Sequence, residues 1–215
     1  MQLQLLTPGY RGSRYFRRIQ LTSAKTARKH LPAIYKLVQK HYGWTPLTIN
    51  LDLGGGPYEV FTDKLTGVGV VNFVHDPYNR DSYHNMHIAE CFFNSNNVDT
   101  VTVSNVLNVI PTWPEKYALI NVAIRAVRPG GRIYITVYER NRSGNGEWTR
   151  DGWQDNMQTC EYFDWLTNKP GGWPPQCSLV RWRRHGKLIV GAKRGKKWNQ
   201  QNVFSTGRYL NSNAA

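Results

Sequence analysis

One short run in the chain has the residue types to cradle a nucleotide-like ligand: Asp52-Leu53-Gly54-Gly55-Gly56-Pro57-Tyr58-Glu59. Glycine is wanted where a ligand approaches the backbone more closely than a Cβ allows. A helix starting just after the run would add exposed N–H groups. Asp76 follows Asp52 by 24 residues, where an acid ending a second strand can accept both hydroxyls of a ribose. Taken singly, a glycine cluster is only a turn, and Asp76 only a strand-end cap before Pro77. In register on consecutive strands, they point together to an adenosine-type ligand.

Other groups offer weaker chemistry. His84, His87 and Cys91 could share one helix face and bind zinc, but no fourth ligand is evident, so no metal site is expected. Glu139 stands beside Tyr138 after an apolar strand and is a weak candidate for a general base; the alternative is a solvated loop acid. Trp148, Trp153 and Trp165, with Tyr162 and Phe163, either stack an acceptor base or pack a helix onto a sheet. Arg181-Trp182-Arg183-Arg184 and Lys193-Arg194-Gly195-Lys196-Lys197-Trp198 interleave basic and aromatic residues. Such runs track phosphates, or else protect an exposed edge strand with charge.

These residues need elements to position them. Thr48–Leu53, Gly67–His75, Asp99–Val103 and Arg132–Tyr138 read as apolar strands. Between them, helices are expected over Pro57–Leu65, Asp81–Asn94 and Pro114–Val127, the last stopped by Arg128-Pro129-Gly130-Gly131. Thr22–Tyr42 has helical spacing with a break at Pro32, or a second helix starting there. A polar loop covers Arg140–Gly152, a helix Asp155–Leu166, and a hairpin Ser178–Arg184 with Lys187–Lys193. Strands that are apolar throughout and alternate with helices predict an α/β three-layer sandwich: a mostly parallel, doubly wound sheet with an antiparallel C-terminal hairpin. The expected organisation is a basic helical extension (1–44), a main domain (45–194) and a basic polar tail (195–215).

At 215 residues and 40% apolar composition, a buried core is expected and wholesale disorder is not. No apolar run reaches the ~18 residues of a spanning helix, and no secretory signal is seen. Cys91, Cys160 and Cys177 are too scattered for a disulfide framework or a Cys-x-x-Cys clip, so a reduced, cytoplasmic protein is expected. The net charge of +14 is uneven. Residues 1–51 carry nine basic side chains, Arg14, Arg17 and Arg18 among them, and residues 165–215 carry ten; neither end holds an acid. The centre is mildly acidic. Two basic ends favour a polyanion, RNA or DNA, over a merely solubilising surface. The candidate contacts are Arg14, Arg17, Arg18, Arg181, Arg183, Arg184, Lys193, Arg194, Lys196 and Lys197.

Four pieces together resemble the class I S-adenosylmethionine-dependent methyltransferases: Asn50-Leu51-Asp52-Leu53-Gly54-Gly55-Gly56, Asp76 after VVNFVH, Asp99 through Leu107, and Val127-Arg128-Pro129-Gly130-Gly131-Arg132-Ile133. The resemblance covers roughly residues 45–193 and implies S-adenosylmethionine as cofactor. It implies that Asp52, Gly54, Gly55 and Gly56 line the methionine and ribose, that Asp76 holds the ribose hydroxyls, and that Ser104, Asn105 and Val106 border the sulfonium and the acceptor. Asn105, like Glu139, is a weak catalytic candidate. The segment Asp76–Asp99 has room for one helix but hardly for the family's further strand, which implies a trimmed sheet. Ser104-Asn105-Val106-Leu107 stands where DNA amino-methylating members carry Asn/Asp-Pro-Pro-Tyr/Phe, and no cysteine lies where C5-cytosine chemistry needs one. The expected activity is methyl transfer to nucleic acid, RNA favoured. The alternatives are a small-molecule methyltransferase, or a non-catalytic nucleic-acid-binding protein on a degenerate methyltransferase fold.

Overall fold

β-branched and apolar side chains that suit a doubly covered pleated surface form the centre of the molecule. They make Thr48–Leu53 (β1), Val70–His75 (β2), Val98–Ser104 (β3) and Val127–Thr136 (β4). The structure is a computed structural model that describes residues 29–150, 152–168 and 179–195. β1 pairs in parallel with β2 and with β3, and β3 with β4. Glu147–Thr149 (β5) and Gly152–Gln154 (β6) form a separate small hairpin. Val180–His185 (β7) and Leu188–Lys193 (β8) form a second one, which joins the main sheet with β8 antiparallel to β4. The main sheet has the order β2-β1-β3-β4-β8-β7.

Helices cover both faces. Ala33–His41 (α1) and Val60–Thr66 (α2) pack on one side, where Ile34, Val38, Phe61 and Leu65 meet Val70, Tyr134, Leu188 and Val190. Ser82–Phe92 (α3), Trp113–Ala126 (α4) and Thr159–Asn168 (α5) pack on the other, over Leu51, Leu53, Val101, Val103, Ile133, Ile135 and Ile189. This is the expected three-layer α/β sandwich. The sheet is trimmed, as expected: only α3 lies between β2 and β3, and β2 is an edge strand with Val71 exposed.

Three expectations need correction. Pro129-Gly130-Gly131 does not stop α4 ahead of the strand. The chain passes straight from Ala126 into β4, and the three residues lie inside it at a break in register with β3. Gly131 is required there because a Cβ would meet the Asp99 carbonyl oxygen at 2.6 Å. The stretch 140–152 is not one loop but contains β5 and the start of β6, held by the edge-to-face pair Trp148–Trp153. Helix α1 begins just after Pro32, as the second reading had it, and its apolar stripe is core rather than appendage. The segment expected to be helical before residue 29 and the tail after residue 195 lie outside the described residues, as do Arg14, Arg17, Arg18, Lys196 and Lys197.

Candidate active site at the carboxyl ends of the strands

Successive strands run outward from β1 in opposite directions, to β2 on one side and to β3 and β4 on the other. In open α/β sheets ligands bind beyond the carboxyl ends of the strands at such a reversal. The glycine run follows β1 at this point, and Ser104-Asn105-Val106 ends β3 beside it.

Gly54 and Gly56 have φ of +80° and +75°. Gly54 N–H donates to the His75 carbonyl at 2.8 Å, tying the loop to β2. A Cβ on Gly54 would lie 2.5 Å from Val106 Cγ2, and one on Gly55 would land on Asp52 Oδ2. The two loops that flank the reversal are thus pressed together, with backbone rather than side chain on top.

Asp76 fixes the loop from the other side. Its Oδ2 accepts from Gly56 N–H and Asn79 Nδ2, both at 2.9 Å. Its Oδ1 accepts from Tyr78 N–H at 3.0 Å and Asn79 N–H at 3.1 Å. A carboxylate has about four lone-pair sites, so Asp76 is fully engaged. Asn85 braces its backbone, accepting from Asp76 N–H and donating to Asp76 O. Arg80 then closes the circle. Its Nε donates to the Gly56 carbonyl at 2.9 Å, and its Nη1 pairs with Glu59. Its Nη2 is buried with no partner among the described residues. Asn79, Arg80 and Asn85 were not singled out in the sequence; their only signal was nearness to Asp76.

Under the loop runs a buried polar ladder. Asn72 donates to Thr62, Asn50 to Asn72 and Thr102, and Thr102 to Asp52 Oδ1 at 2.7 Å. Burial pushes the Asp52 carboxyl up to about 7, with the Asp76 charge adding to it and the Thr102 bond opposing. Burial likewise pushes His75 down to about 4.

The next part of this edge is built from the loops after β3 and β4. Asn105 is exposed with φ +57° and donates its N–H to the Thr136 carbonyl. Ser104 Oγ lies 3.4 Å from Thr136 Oγ1. Asn108 joins this wall to the β5–β6 hairpin. Its Nδ2 donates to Gln154 Oε1, its Oδ1 accepts from Tyr138 N–H, and its carbonyl accepts from Asp155 N–H. Asp155 is locked in turn by Tyr162 OH at 2.6 Å, Trp153 Nε1 at 3.1 Å and Lys116 Nζ at 3.1 Å. Tyr58, Tyr78 and Tyr138, one beyond each of β1, β2 and β4, remain exposed along this edge, as does Trp148.

Two expected roles fail on geometry. Glu139 is neither a solvated acid nor a base. It accepts from Thr159 N–H at 3.0 Å and Thr159 Oγ1–H at 2.7 Å, and pairs with Arg142 and Lys187. Burial works to raise its carboxyl, but these donors and cations outweigh it and hold the group below the usual carboxylate range. Lys193 is not a polyanion contact. It is 8% exposed, and its Nζ donates to Ile124 O, Val127 O and Asn96 Oδ1 at 2.5–2.7 Å. It caps the carboxyl end of α4, where a cation meets unsatisfied carbonyls and the negative end of the helix dipole. Lys193→Met should therefore lower stability by about 2–3 kcal/mol, read as a shifted urea midpoint. An unshifted midpoint would refute the capping role.

The remaining basic candidates divide by face. Arg181 and Arg183 project on the α1 side of the sheet, and Arg184 on the other, where its Nη1 donates to the Gly186 carbonyl. Arg194 is exposed at the end of the described chain. His84 Nε2 is 2.8 Å from the Val74 carbonyl oxygen, and His87 Nε2 is 3.9 Å from Cys91 Sγ. Among the described residues no group of three His, Cys, Asp or Glu could hold a metal. Nor is any described helix long and apolar enough to cross a membrane.

No protein-family model matches the sequence, and no curated protein matches it. Solved structures match it in shape. A 1,6-didemethyltoxoflavin-N1-methyltransferase from Burkholderia thailandensis, solved with bound 1,6-didemethyltoxoflavin and S-adenosylhomocysteine, matches with a TM-score of 0.52. The match covers 75% of this chain and 76% of that one at 13% identity. A SAM-dependent methyltransferase from Methanosarcina mazei also gives 0.52, over 75% of this chain and 99% of that one at 15% identity. At such identities the likeness is one of fold: the chain has the class I methyltransferase fold.

Proposed function

We propose that the chain is an S-adenosylmethionine-dependent methyltransferase with nucleic acid, RNA in particular, as acceptor. The observation that carries the cofactor reading is the loop cluster at the sheet reversal, where Gly56, Asp76 and Arg80 form one hydrogen-bonded unit. These residues fit the cofactor. Its amino-acid carboxylate needs a cation, and the orphaned Nη2 of Arg80 is a buried donor waiting for an acceptor. Its ribose needs an acid. Of the four bonds to Asp76, that from the Asn79 side chain is the one a ribose hydroxyl replaces without disturbing the loop. With the outer strand missing, Tyr78 and Tyr83 are the exposed aromatic surfaces left beside β2 for adenine.

The cofactor supplies a methyl group on a cationic sulfur, ready for in-line transfer to a nucleophile. The chain's own work is proximity and orientation. The exposed amide of Asn105 orients the acceptor, and Tyr138 and Trp148 offer faces on which a base stacks. Glu139 takes no proton, since its carboxylate is already held by Thr159, Arg142 and Lys187. An acceptor whose proton leaves to solvent after transfer needs no such base. The basic ends support nucleic acid over a small molecule, the class bound in the Burkholderia neighbour. One observation favours the non-catalytic reading: every lone pair of Asp76 is engaged within the chain.

Calorimetric titration with S-adenosylmethionine and S-adenosylhomocysteine decides between them. Micromolar binding is expected, weakened at least about tenfold in Asp76→Ala. Because Asp76 and Arg80 both hold the loop, Tyr83→Ala, an exposed side chain outside that hydrogen-bonded unit, is the companion variant; it should weaken binding with the fold intact. A folded wild-type protein that binds neither compound would overturn the enzyme reading.

A further inference from the structure

A pocket of about 240 Å³ opens on the α1 face of the sheet, lined by Tyr42, Arg132, Arg181, Arg183, Val190 and Ala192. Strand register explains why three arginines meet there. Arg132 on β4 stands opposite Ala192 on β8, which stands opposite Arg181 on β7. One pleat further along, Tyr134, Val190 and Arg183 repeat the row. Val190 and Ala192 are thus an apolar floor with guanidinium groups on both sides. Arg181 and Arg183 lie about 7 Å apart along β7. The intervening Trp182 points to the opposite face, where it packs on Gly191. The Arg132 guanidinium lies over the Tyr42 ring, 5.2 Å from its centre.

The charge here is uncompensated. Residues 29–47, 127–136 and 179–195, which form the pocket and its surroundings, contain no Asp or Glu. Elsewhere Arg80, Arg128, Arg140 and Arg142 each pair with a carboxylate. Among the described residues Arg132, Arg181 and Arg183 have no such pair. Guanidinium forks engage phosphate oxygens in bidentate fashion, and an aromatic wall over an apolar floor accepts a base only if that base is unpaired.

We infer that this pocket is a docking site for single-stranded nucleic acid, with Arg181 and Arg183 on successive phosphates and a base on the Val190–Ala192 floor beside the Arg132–Tyr42 stack. It is separate from the loop cluster proposed for the cofactor. Arg132 lies four residues before Thr136 on β4, about 13 Å along the strand, and β8 is three strands from β1, about 14 Å across. A strand held there reaches the carboxyl edge only after several nucleotides, so the pocket sets which segment is presented rather than touching the reacting atom. The inference rests on the nucleic-acid reading above for the identity of the polymer, but not on cofactor binding.

The test is fluorescence anisotropy of a short labelled single-stranded RNA across a salt series. Arg181→Ala/Arg183→Ala should weaken binding about tenfold or more and flatten the log–log salt slope by about 1–2, with the urea midpoint unchanged because both side chains are exposed. Arg184→Ala, one residue away on the other face, should shift affinity by no more than about twofold. Equal losses from Arg184→Ala and the double variant would overturn the pocket in favour of diffuse attraction. Displacement of the RNA by polyglutamate as effectively as by unlabelled RNA would overturn it in favour of an acidic protein partner. No RNA binding by the wild type would overturn it outright. Calorimetry with S-adenosylhomocysteine on the same samples separates the two readings. Cofactor binding without RNA binding sinks the pocket alone, and RNA binding at these arginines without cofactor binding sinks the enzyme alone.

Discussion

Gly54→Ala should lower stability by about 2–5 kcal/mol and S-adenosylhomocysteine affinity by at least about tenfold. Two independent penalties meet at this position. The backbone φ of +80° suits glycine, and an L side chain there is strained by about 1–2 kcal/mol. The new methyl would also lie 2.5 Å from Val106 Cγ2, an overpacking that costs about 1–3 kcal/mol. Val106 is β-branched and cannot swing its methyls aside easily. Adding Val106→Ala to Gly54→Ala removes the collision and leaves the backbone strain. The double variant should therefore be more stable by about 1–3 kcal/mol than the sum of the two single losses, which is the coupling in the cycle. Urea unfolding of the four proteins reads it. Additive losses would mean that the two loops do not touch as described.

Asp52→Asn should change how stability depends on pH. Asp52 titrates near 7 in the folded chain against an ordinary value of 3.8, so the folded state keeps a proton that the unfolded chain releases. Stability from this group is present below pH 4 and is lost as pH rises to 7. His75 does the opposite. Its folded value of about 4 lies below its ordinary 6.5, so its contribution is lost as pH falls from 6.5 to 4. Two to three units each correspond to roughly 3–4 kcal/mol at most, and the two slopes oppose each other across the same window. Asparagine keeps an oxygen for the Thr102 hydroxyl but does not titrate. The difference in unfolding free energy, variant minus wild type, should climb between pH 4 and pH 7 and level off above. A difference that is flat with pH would refute the buried, proton-holding Asp52.

The parts of the molecule visible in the sequence share one property: their pattern is local and periodic. β1 reads as a strand because a short run rich in Ile and Leu leads straight into three glycines, and the structure gives the predicted Thr48–Leu53. Asp81 caps α3 through His84 N–H, within three residues of itself. The missing strand between β2 and β3 was legible from length alone. What escaped depends on distant partners. Lys193 looked like one more cation in a basic run, because its acceptors, Ile124 and Val127, lie 69 and 66 residues away. Glu139 looked solvated because Thr159 arrives from the start of α5, past the β5–β6 hairpin, and Lys187 from the turn between β7 and β8. β5 and β6 have three residues each, too few for alternation to show, and only their paired tryptophans hinted at them. The division of Arg183 from Arg184 follows from strand alternation, which separates neighbours onto opposite faces once the run is placed on β7.

The packing of α1 against β8 sets an order of events for the chain as it is made. Tyr42 OH meets His185 Nε2 at 2.8 Å across 143 residues, and Ile34 and Val38 share their core with Leu188 and Val190. The cover of this helix is thus begun by Phe61, Val70 and Tyr134 but completed only by Leu188 and Val190. Until β8 emerges from the ribosome and inserts beside β4, the part of the α1 stripe that meets Leu188 and Val190 and the edge of β4 stay open to solvent. Such long-range closure slows folding and leaves a sticky intermediate. Nascent chains halted before residue 179 should therefore recruit chaperones and yield to protease near α1, whereas chains extended past residue 195 should resist it.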